Sequence, residues 1–352
     1  MRVDAIVGLQ YGSEGKGAVV ARMAGGYDGA VRTGAPNAGH TVLHDGVAYK
    51  MRSVPCNWVN PRCRLFVGAG GLLNLDVLAE ELKTLPRSVM DRLKIDRNCG
   101  IIDQADIEEE EHKGMNKAIG STAEGVGPAQ ARKVLRRGFT TAGQVVELAK
   151  YITDVAGEVN SMIDEGQAIM LEGTQGFGLS MNHGPYPFTT SRDVLASSLF
   201  SDAGLAPGSC RSVYGVMRTY PIRVAGNSGP MGAEELSWEE ITKRCGAPEG
   251  AIVERTTVTK RIRRVSEIDW ELLKRSVACN RPNGIFITFI DYLGWEMHGK
   301  TSPDDLNAKA HEFIKQVESR LGVPVIAVGT GAGPLDQIWL RPIESIMPEK
   351  KA

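Results

Sequence analysis

The chain has 352 residues, 42% of them hydrophobic, enough to bury a sizeable core as one large α/β domain or as a core domain with subdomains. Lysine and arginine total 41 against 42 aspartate and glutamate, so no overall positive field invites nucleic acid or an anionic membrane, and any anion site must be local. No apolar stretch approaches the roughly 20 residues that span a bilayer, and the start Met-Arg-Val-Asp lacks a signal peptide's apolar segment, so a cytoplasmic protein without membrane partners is expected.

From the N-terminus, Val3 to Val7 is an apolar run predicting a strand over 3–9, followed at once by Gly8-Leu-Gln-Tyr-Gly-Ser-Glu-Gly-Lys-Gly17. Glycines at 8, 12, 15 and 17 permit positive φ and close backbone approach, so successive N–H groups can face an anion while Lys16 supplies compact charge. The standard P-loop pattern is not met. Gln10 stands where that pattern has its first glycine, and Gly17 where it has the hydroxyl residue that holds magnesium. A tight strand-to-helix turn with a surface lysine is the plainer reading.

The next informative stretch, Thr33-Gly-Ala-Pro-Asn-Ala-Gly-His-Thr41, is a small-residue loop ending in His40, which can act as a general acid or stabilise charge beside phosphate. His40 and His44 are four residues apart, but in a loop and strand rather than on a helix, so no metal pair is read there. The cysteines at 56, 63, 99, 210, 245 and 279 form no Cys-x-x-Cys pair, which points to reduced thiols rather than zinc or disulfides.

Further strands are expected at 64–68, 167–172, 213–218, 284–291 and 323–328, and helices near 75–84, 143–156, 268–279 and 303–320. Glu108 to Lys113 reads as a solvated helix face. The alternation predicts an α/β fold with a large, mainly parallel central sheet flanked by helices, its active site at the carboxyl ends of the strands. Glu172-Gly-Thr-Gln-Gly176, continuing through His183 to Ser191, follows one such strand. It offers the Gln175 carboxamide and the hydroxyls of Thr189, Thr190 and Ser191 for a base oxygen and a monophosphate, or a polar turn with a helix cap at Ser191.

Together with Gly120-Ser-Thr122, Gly125-Val-Gly-Pro128, Lys133-Val-Leu-Arg-Arg137, Thr259-Lys-Arg-Ile-Arg-Arg264 and Gly331-Ala-Gly-Pro334, these segments make the chain resemble adenylosuccinate synthetases over nearly its full length, in the family's short form. The resemblance implies one domain over 1–352 with small subdomains. It also implies a ligase that phosphorylates the 6-oxygen of a purine nucleotide and then lets the aspartate amine displace that phosphate. By similarity, Lys16 and the amides of Gly15 to Gly17 hold the transferring phosphate and His40 is its acid. Glu14, Gly39, Thr41, Asp291, Gly331 and Gly333 complete the triphosphate site, and the Gly39 carbonyl ligates Mg2+. Gln175 steadies the 6-oxygen, while Asn37, Ser121, Thr122 and Thr190 hold the nucleotide monophosphate. Arg136 would reach it from the second subunit of a homodimer. Val258, Thr259, Arg261 and Arg263 match the aspartate loop, although Val258 and Lys260 depart from the family's usual Thr and Gly.

Two further departures bear on substrate. Where the family has an aspartate that takes the purine N1 proton and ligates magnesium, this chain has Ser13, a weaker base and a poorer metal ligand. The smaller side chain opens space near purine C2 and places a hydroxyl where an exocyclic 2-amino group would be. That favours dGMP as acceptor and resembles the viral branch of the family, which makes a 2-amino-N6-succinyl deoxynucleotide for diaminopurine DNA, in the host cytoplasm. Second, Phe289 replaces the lysine of the family's donor-base Lys-x-Asp motif while Asp291 is kept, which favours ATP or dATP with GTP as the alternative. A conventional enzyme using inosine monophosphate and GTP, and a nucleotide-binding switch without ligase activity, are the competing readings.

Overall fold

The computed structural model describes residues 2–255 and 261–348. Ten strands form the central sheet: β1 (Val3–Gly8), β2 (Gly29–Arg32), β3 (Arg64–Val67), β4 (Leu93–Asp96), β5 (Ile152–Thr153), β6 (Ile169–Glu172), β7 (Cys210–Arg218), β8 (Gly284–Thr288), β9 (Val325–Gly329) and β10 (Gln337–Trp339). Their spatial order is β10-β9-β8-β7-β1-β6-β2-β3-β4-β5. Every pairing is parallel except that of β9 with β10, as the alternating pattern predicts.

β1 sits near the middle, with Ile6 opposite Glu172 on one side and Tyr214 on the other. It is buried on both faces. Val3, Ala5 and Val7 pack into one core and Ile6 into the other, which is why its apolar run is continuous rather than alternating.

Leu75–Thr84 is helical over the predicted span, capped by the Asn74 side chain, which accepts from the Val77 N–H at 3.0 Å. The helix expected at 143–156 is not formed. Two 3-10 segments, Ala142–Gln144 and Val146–Tyr151, lead into β5, and the helix begins only at Val155, where the Asp154 carboxylate caps it. The strand expected to reach 291 ends at Thr288, because Phe289 turns left-handed at φ 58° and starts the turn Ile290–Leu293. A two-stranded hairpin, His40–His44 with Val47–Met51, and a three-stranded sheet of Ile222–Arg223, Arg264–Ser266 and Glu235–Leu236 flank the carboxyl ends of the central strands. Among the described residues, no helix is long and apolar enough to cross a membrane.

Candidate active site

At the carboxyl edge of the sheet, β2, β6, β7 and β8 end in the buried polar residues Arg32, Glu172, Arg218 and Thr288. β1 ends in the glycine-rich loop, which feeds the helix Lys16–Met23. Gly17 must lack a side chain, since a Cβ there would lie 2.8 Å from the Thr41 carbonyl oxygen and 2.9 Å from His40. Over this edge opens a cavity of about 590 Å³.

Its walls bring together Ser13, Lys16, Asn37, Gly39, His40, Thr41, Ser121, Thr122, Gln175, Thr190, Arg261 and Arg263. These residues come from segments up to 250 positions apart in the chain. Glu14 and Gly17 are buried and, like the half-buried Gly15, are not part of the wall. Arg136 is exposed at the end of the helix Val126–Leu135, and Asp291, Gly331 and Gly333 stand apart from the cavity. Val258 and Thr259 lie outside the described residues.

The loop is satisfied internally. Glu14 is fully buried, and its Oε1 accepts from the N–H groups of Gly12 (2.8 Å) and Gln10 (3.1 Å). Its Oε2 pairs with Lys16 Nζ at 2.7 Å, and the same ammonium donates to the Gln175 carbonyl. Lys16 is thereby held at the cavity floor with its counter-charge beside it, where it stays within reach of an arriving phosphate.

His40 sits in a second buried cluster. Its Nδ1 lies 2.6 Å from Glu172 Oε1, and Arg32 pairs with the same oxygen at 2.5 Å. The other Glu172 oxygen accepts from the Cys56 N–H at 2.6 Å. Burial alone would push the Glu172 carboxyl up, but the Arg32 charge and these hydrogen bonds bring it down to about 2. Burial, reinforced by Arg32, lowers His40 to about 4, against the pull of Glu172. At neutral pH the pair is therefore a carboxylate receiving the N–H of a neutral imidazole. The 3.1 Å approach of Arg32 to Nδ1 is then a contact rather than a hydrogen bond, because both groups carry protons. His40 Nε2 is buried and has no protein partner. A phosphate dianion reaching it would favour the protonated ring and turn it into a proton donor.

Gln175 adopts φ 59° and Ser13 φ 56°, a conformation L-residues rarely hold. The Gln175 amide donates to Thr190 Oγ1 at 2.7 Å, while its Oε1 and Asn37 Oδ1 are buried without protein partners, polar atoms of the kind a ligand or water satisfies. Ser121 donates to Glu110, whose second oxygen accepts the Gly125 N–H at 2.6 Å. Arg52 pairs with Glu124 at 2.6 Å. Burial draws the Arg263 guanidinium below its usual range, leaving a poorly hydrated cation on the wall that suits a carboxylate.

For a cation, the wall includes the exposed residues Ser13 and Gly39, with a hydroxyl and a backbone carbonyl to offer. Both are hard oxygen donors of the kind Mg2+ takes, but they are two, so phosphate oxygens and water would complete its shell. The cluster of His40, Cys56 and Glu172 does not suit magnesium. It is buried, Arg32 already occupies its carboxylate, and burial pushes the Cys56 thiol well up.

A family model described as adenylosuccinate synthetase matches residues 5–147 and 140–295. The chain belongs to the adenylosuccinate synthetase family. It is a C–N bond-forming ligase of the type that joins aspartate to a purine nucleotide. An adenylosuccinate synthetase of Pyrococcus horikoshii is 39% identical over 340 residues, covering 93% of this chain and 95% of that protein. The one from Methanocaldococcus jannaschii is 38% identical, covering 96% of each. Among solved structures, the cyanophage S-2L succinoaminodeoxyadenylate synthetase (PurZ), bound to dGMP and dATP as an energy donor, has a TM-score of 0.82 at 29% identity, covering 98% of this chain and 97% of that one. Fully ligated adenylosuccinate synthetase from Plasmodium falciparum shares the fold with a TM-score of 0.87 at 22% identity.

Reading the sequence alone overlooks Arg32, Glu172, Arg218 and Arg223 as site residues. Each of the first three is a charged residue closing an apolar strand run, a position that by itself reads as the solvated end of a strand. Arg223 also lines the cavity, stacks over Tyr11 at 4.7 Å, and is lowered to about 10 by burial.

Proposed function

We propose that this ligase joins L-aspartate to the 6-position of dGMP with hydrolysis of ATP or dATP, through a 6-phosphoryl intermediate, giving N6-succino-2-amino-2'-deoxyadenylate. The observation that carries the reading is Ser13, exposed on the cavity wall where the family has an aspartate. No carboxylate of the glycine-rich loop reaches the cavity, since Glu14 is buried with Lys16. A guanine 2-amino group would then meet a hydroxyl and space. The cyanophage protein's complex with dGMP and dATP supports the same choice.

In this reading Gln175 holds the 6-oxygen, and His40, positioned by Glu172, supplies a proton to the transferring phosphoryl group beside Lys16. Asn37, Ser121, Thr122 and Thr190 seat the monophosphate, and Arg136 of a second copy reaches it across a homodimer. Arg261 and Arg263, with Val258 and Thr259, take aspartate. Asp291, Gly331 and Gly333 face the donor nucleotide. Mg2+, held in part by Gly39 and Ser13, would neutralise phosphate charge. The whole of 1–352 acts as one domain.

The second reading is a conventional enzyme using inosine monophosphate, aspartate and GTP. The archaeal relatives favour it, because their 38–39% identity exceeds the 29% of the cyanophage protein. One assay separates the two. The protein, Mg2+ and aspartate are mixed with each pairing of dGMP, GMP or inosine monophosphate with ATP, dATP or GTP, and the succinyl product is measured. Product from dGMP with an adenine donor is expected. Product from inosine monophosphate alone would establish the second reading, and none from any pair would point to a nucleotide-binding switch.

A further inference from the structure

We infer that Arg218 and Glu254 form a positioning pair that ties the arginine-bearing segment Arg261 to Arg263 to the glycine-rich loop, so that the aspartate subsite is assembled against the acceptor nucleotide. The inference rests on the ligase reading above. Arg218 ends β7 with its side chain fully buried, and its Nη1 donates to the Ser13 carbonyl oxygen at 3.2 Å. The same guanidinium forks onto Glu254, Nη1 to Oε2 at 3.2 Å and Nη2 to Oε1. Its backbone is fixed as well. The Gln10 carboxamide brackets the Arg218 peptide, accepting from its N–H at 2.9 Å and donating to its carbonyl at 3.0 Å.

Glu254 carries the other end of the link. Its carbonyl accepts the Arg263 N–H at 2.9 Å, and Arg255 bridges Ile262 in antiparallel fashion, which fixes Arg263 on the pairing itself and Arg261 one residue beyond it. Tyr292 Oη donates to Glu254 Oε1 at 3.3 Å, and the Phe289 ring lies 4.0 Å from the Arg218 guanidinium carbon. One buried cation thus joins Ser13 on one wall of the cavity to the base of Arg261 and Arg263 on another. Arg218 does not itself line the cavity, so its contribution is to geometry. A forked Arg–carboxylate pair is suited to this because it fixes orientation as well as distance, and removal of Glu254 leaves the fully buried Arg218 charge uncompensated.

The test uses full-length protein with Mg2+, ATP and dGMP, varying aspartate and dGMP separately. Glu254→Gln keeps the shape and is expected to raise the aspartate KM about tenfold while leaving kcat and the dGMP KM within about twofold, a coupling of ordinary size. Arg218→Met should raise it further, and Arg218→Lys should recover part of that loss. An aspartate KM within twofold of the parent in both Glu254→Gln and Arg218→Lys would overturn the inference while leaving the ligase reading intact, as would a fall in kcat with no change in that KM. Absence of succinyl product from the parent protein with every nucleotide pair would overturn the ligase reading and this inference with it.

Discussion

On the floor of the cavity Arg32, Glu172, His40, Lys16 and Glu14 are buried, and each meets an opposite charge or a peptide group. On its rim Ser13, Thr122 and Arg261 are exposed. A substitution on the floor strands a charge out of water, at a cost of several kcal/mol. Replacing Ser13 or Thr122 on the rim strands no buried charge and changes mainly what the ligand meets. In the proposed reading, the difference gives a way to keep phosphoryl chemistry while altering the acceptor: proton and phosphate handling rest on buried, charge-paired residues that tolerate little, and the choice of purine rests on the exposed Ser13.

The floor can be broken most severely at Glu172. Glu172→Ala leaves Arg32 buried without its carboxylate and should destabilise the protein by about 3–5 kcal/mol in denaturant unfolding. An effect under about 1 kcal/mol would show that the cluster is not the buried ion pair described. His40→Asn should lower turnover about 10²–10⁴-fold, the usual range for loss of an acid–base group, with the dGMP KM much less affected; unchanged turnover would remove His40 from the chemistry.

Acid sharpens the contrast further. Glu172, brought from 4.5 to about 2, stabilises the fold above pH 4.5, and that contribution is lost as pH falls through about 2. His40, brought from 6.5 to about 4, prefers the neutral form in the fold, so its contribution is present above pH 6.5 and lost as pH falls towards 4. Unfolding free energy should therefore begin to decline below pH 6.5, by on the order of 3 kcal/mol from His40 alone. His40→Asn should flatten the slope between pH 6.5 and 4. A parent protein equally stable at pH 4 and 7 would contradict this.

Rim substitutions should act on choice rather than on folding. Ser13→Asp should cut kcat/KM for dGMP about tenfold, the scale of a small misfit in a binding pocket, and shift preference towards inosine monophosphate, with thermal stability little changed. Smallest of all, Lys113→Ala removes an exposed i,i+4 pair with Glu109 and should alter stability by no more than about 0.5 kcal/mol.

The same division governed what could be read from the residues. The parallel sheet, the glycine-rich loop after Val3 to Val7, and the carboxamide loop at Gln175 carry local signals: apolar runs, glycines and turn residues. So does the helix Leu75–Thr84 with its Asn74 cap. The floor does not. Arg32 and Glu172 are 140 positions apart, and a charged residue after an apolar run reads as the wet end of a strand until the fold places another charge against it. The helix expected over 143–156 failed for a related reason. Leu148 and Tyr151 are buried from 3-10 turns, whose apolar spacing resembles helical periodicity, and the capping carboxylate that starts the true helix is Asp154, inside the expected span. The helix Val126–Leu135 was hidden by its own start, where Gly125 is left-handed and Gly127 and Pro128 follow.

In the proposed function, Ser13 on the cavity wall admits and contacts the 2-amino group of guanine. A crystal structure of the protein with dGMP, Mg2+ and a non-hydrolysable ATP analogue tests it directly. The Ser13 hydroxyl is expected within hydrogen-bonding reach of the exocyclic amine, about 3 Å, with Gln175 at the 6-oxygen. A bound guanine whose amino edge faces away from Ser13, with that hydroxyl turned to solvent, would contradict it.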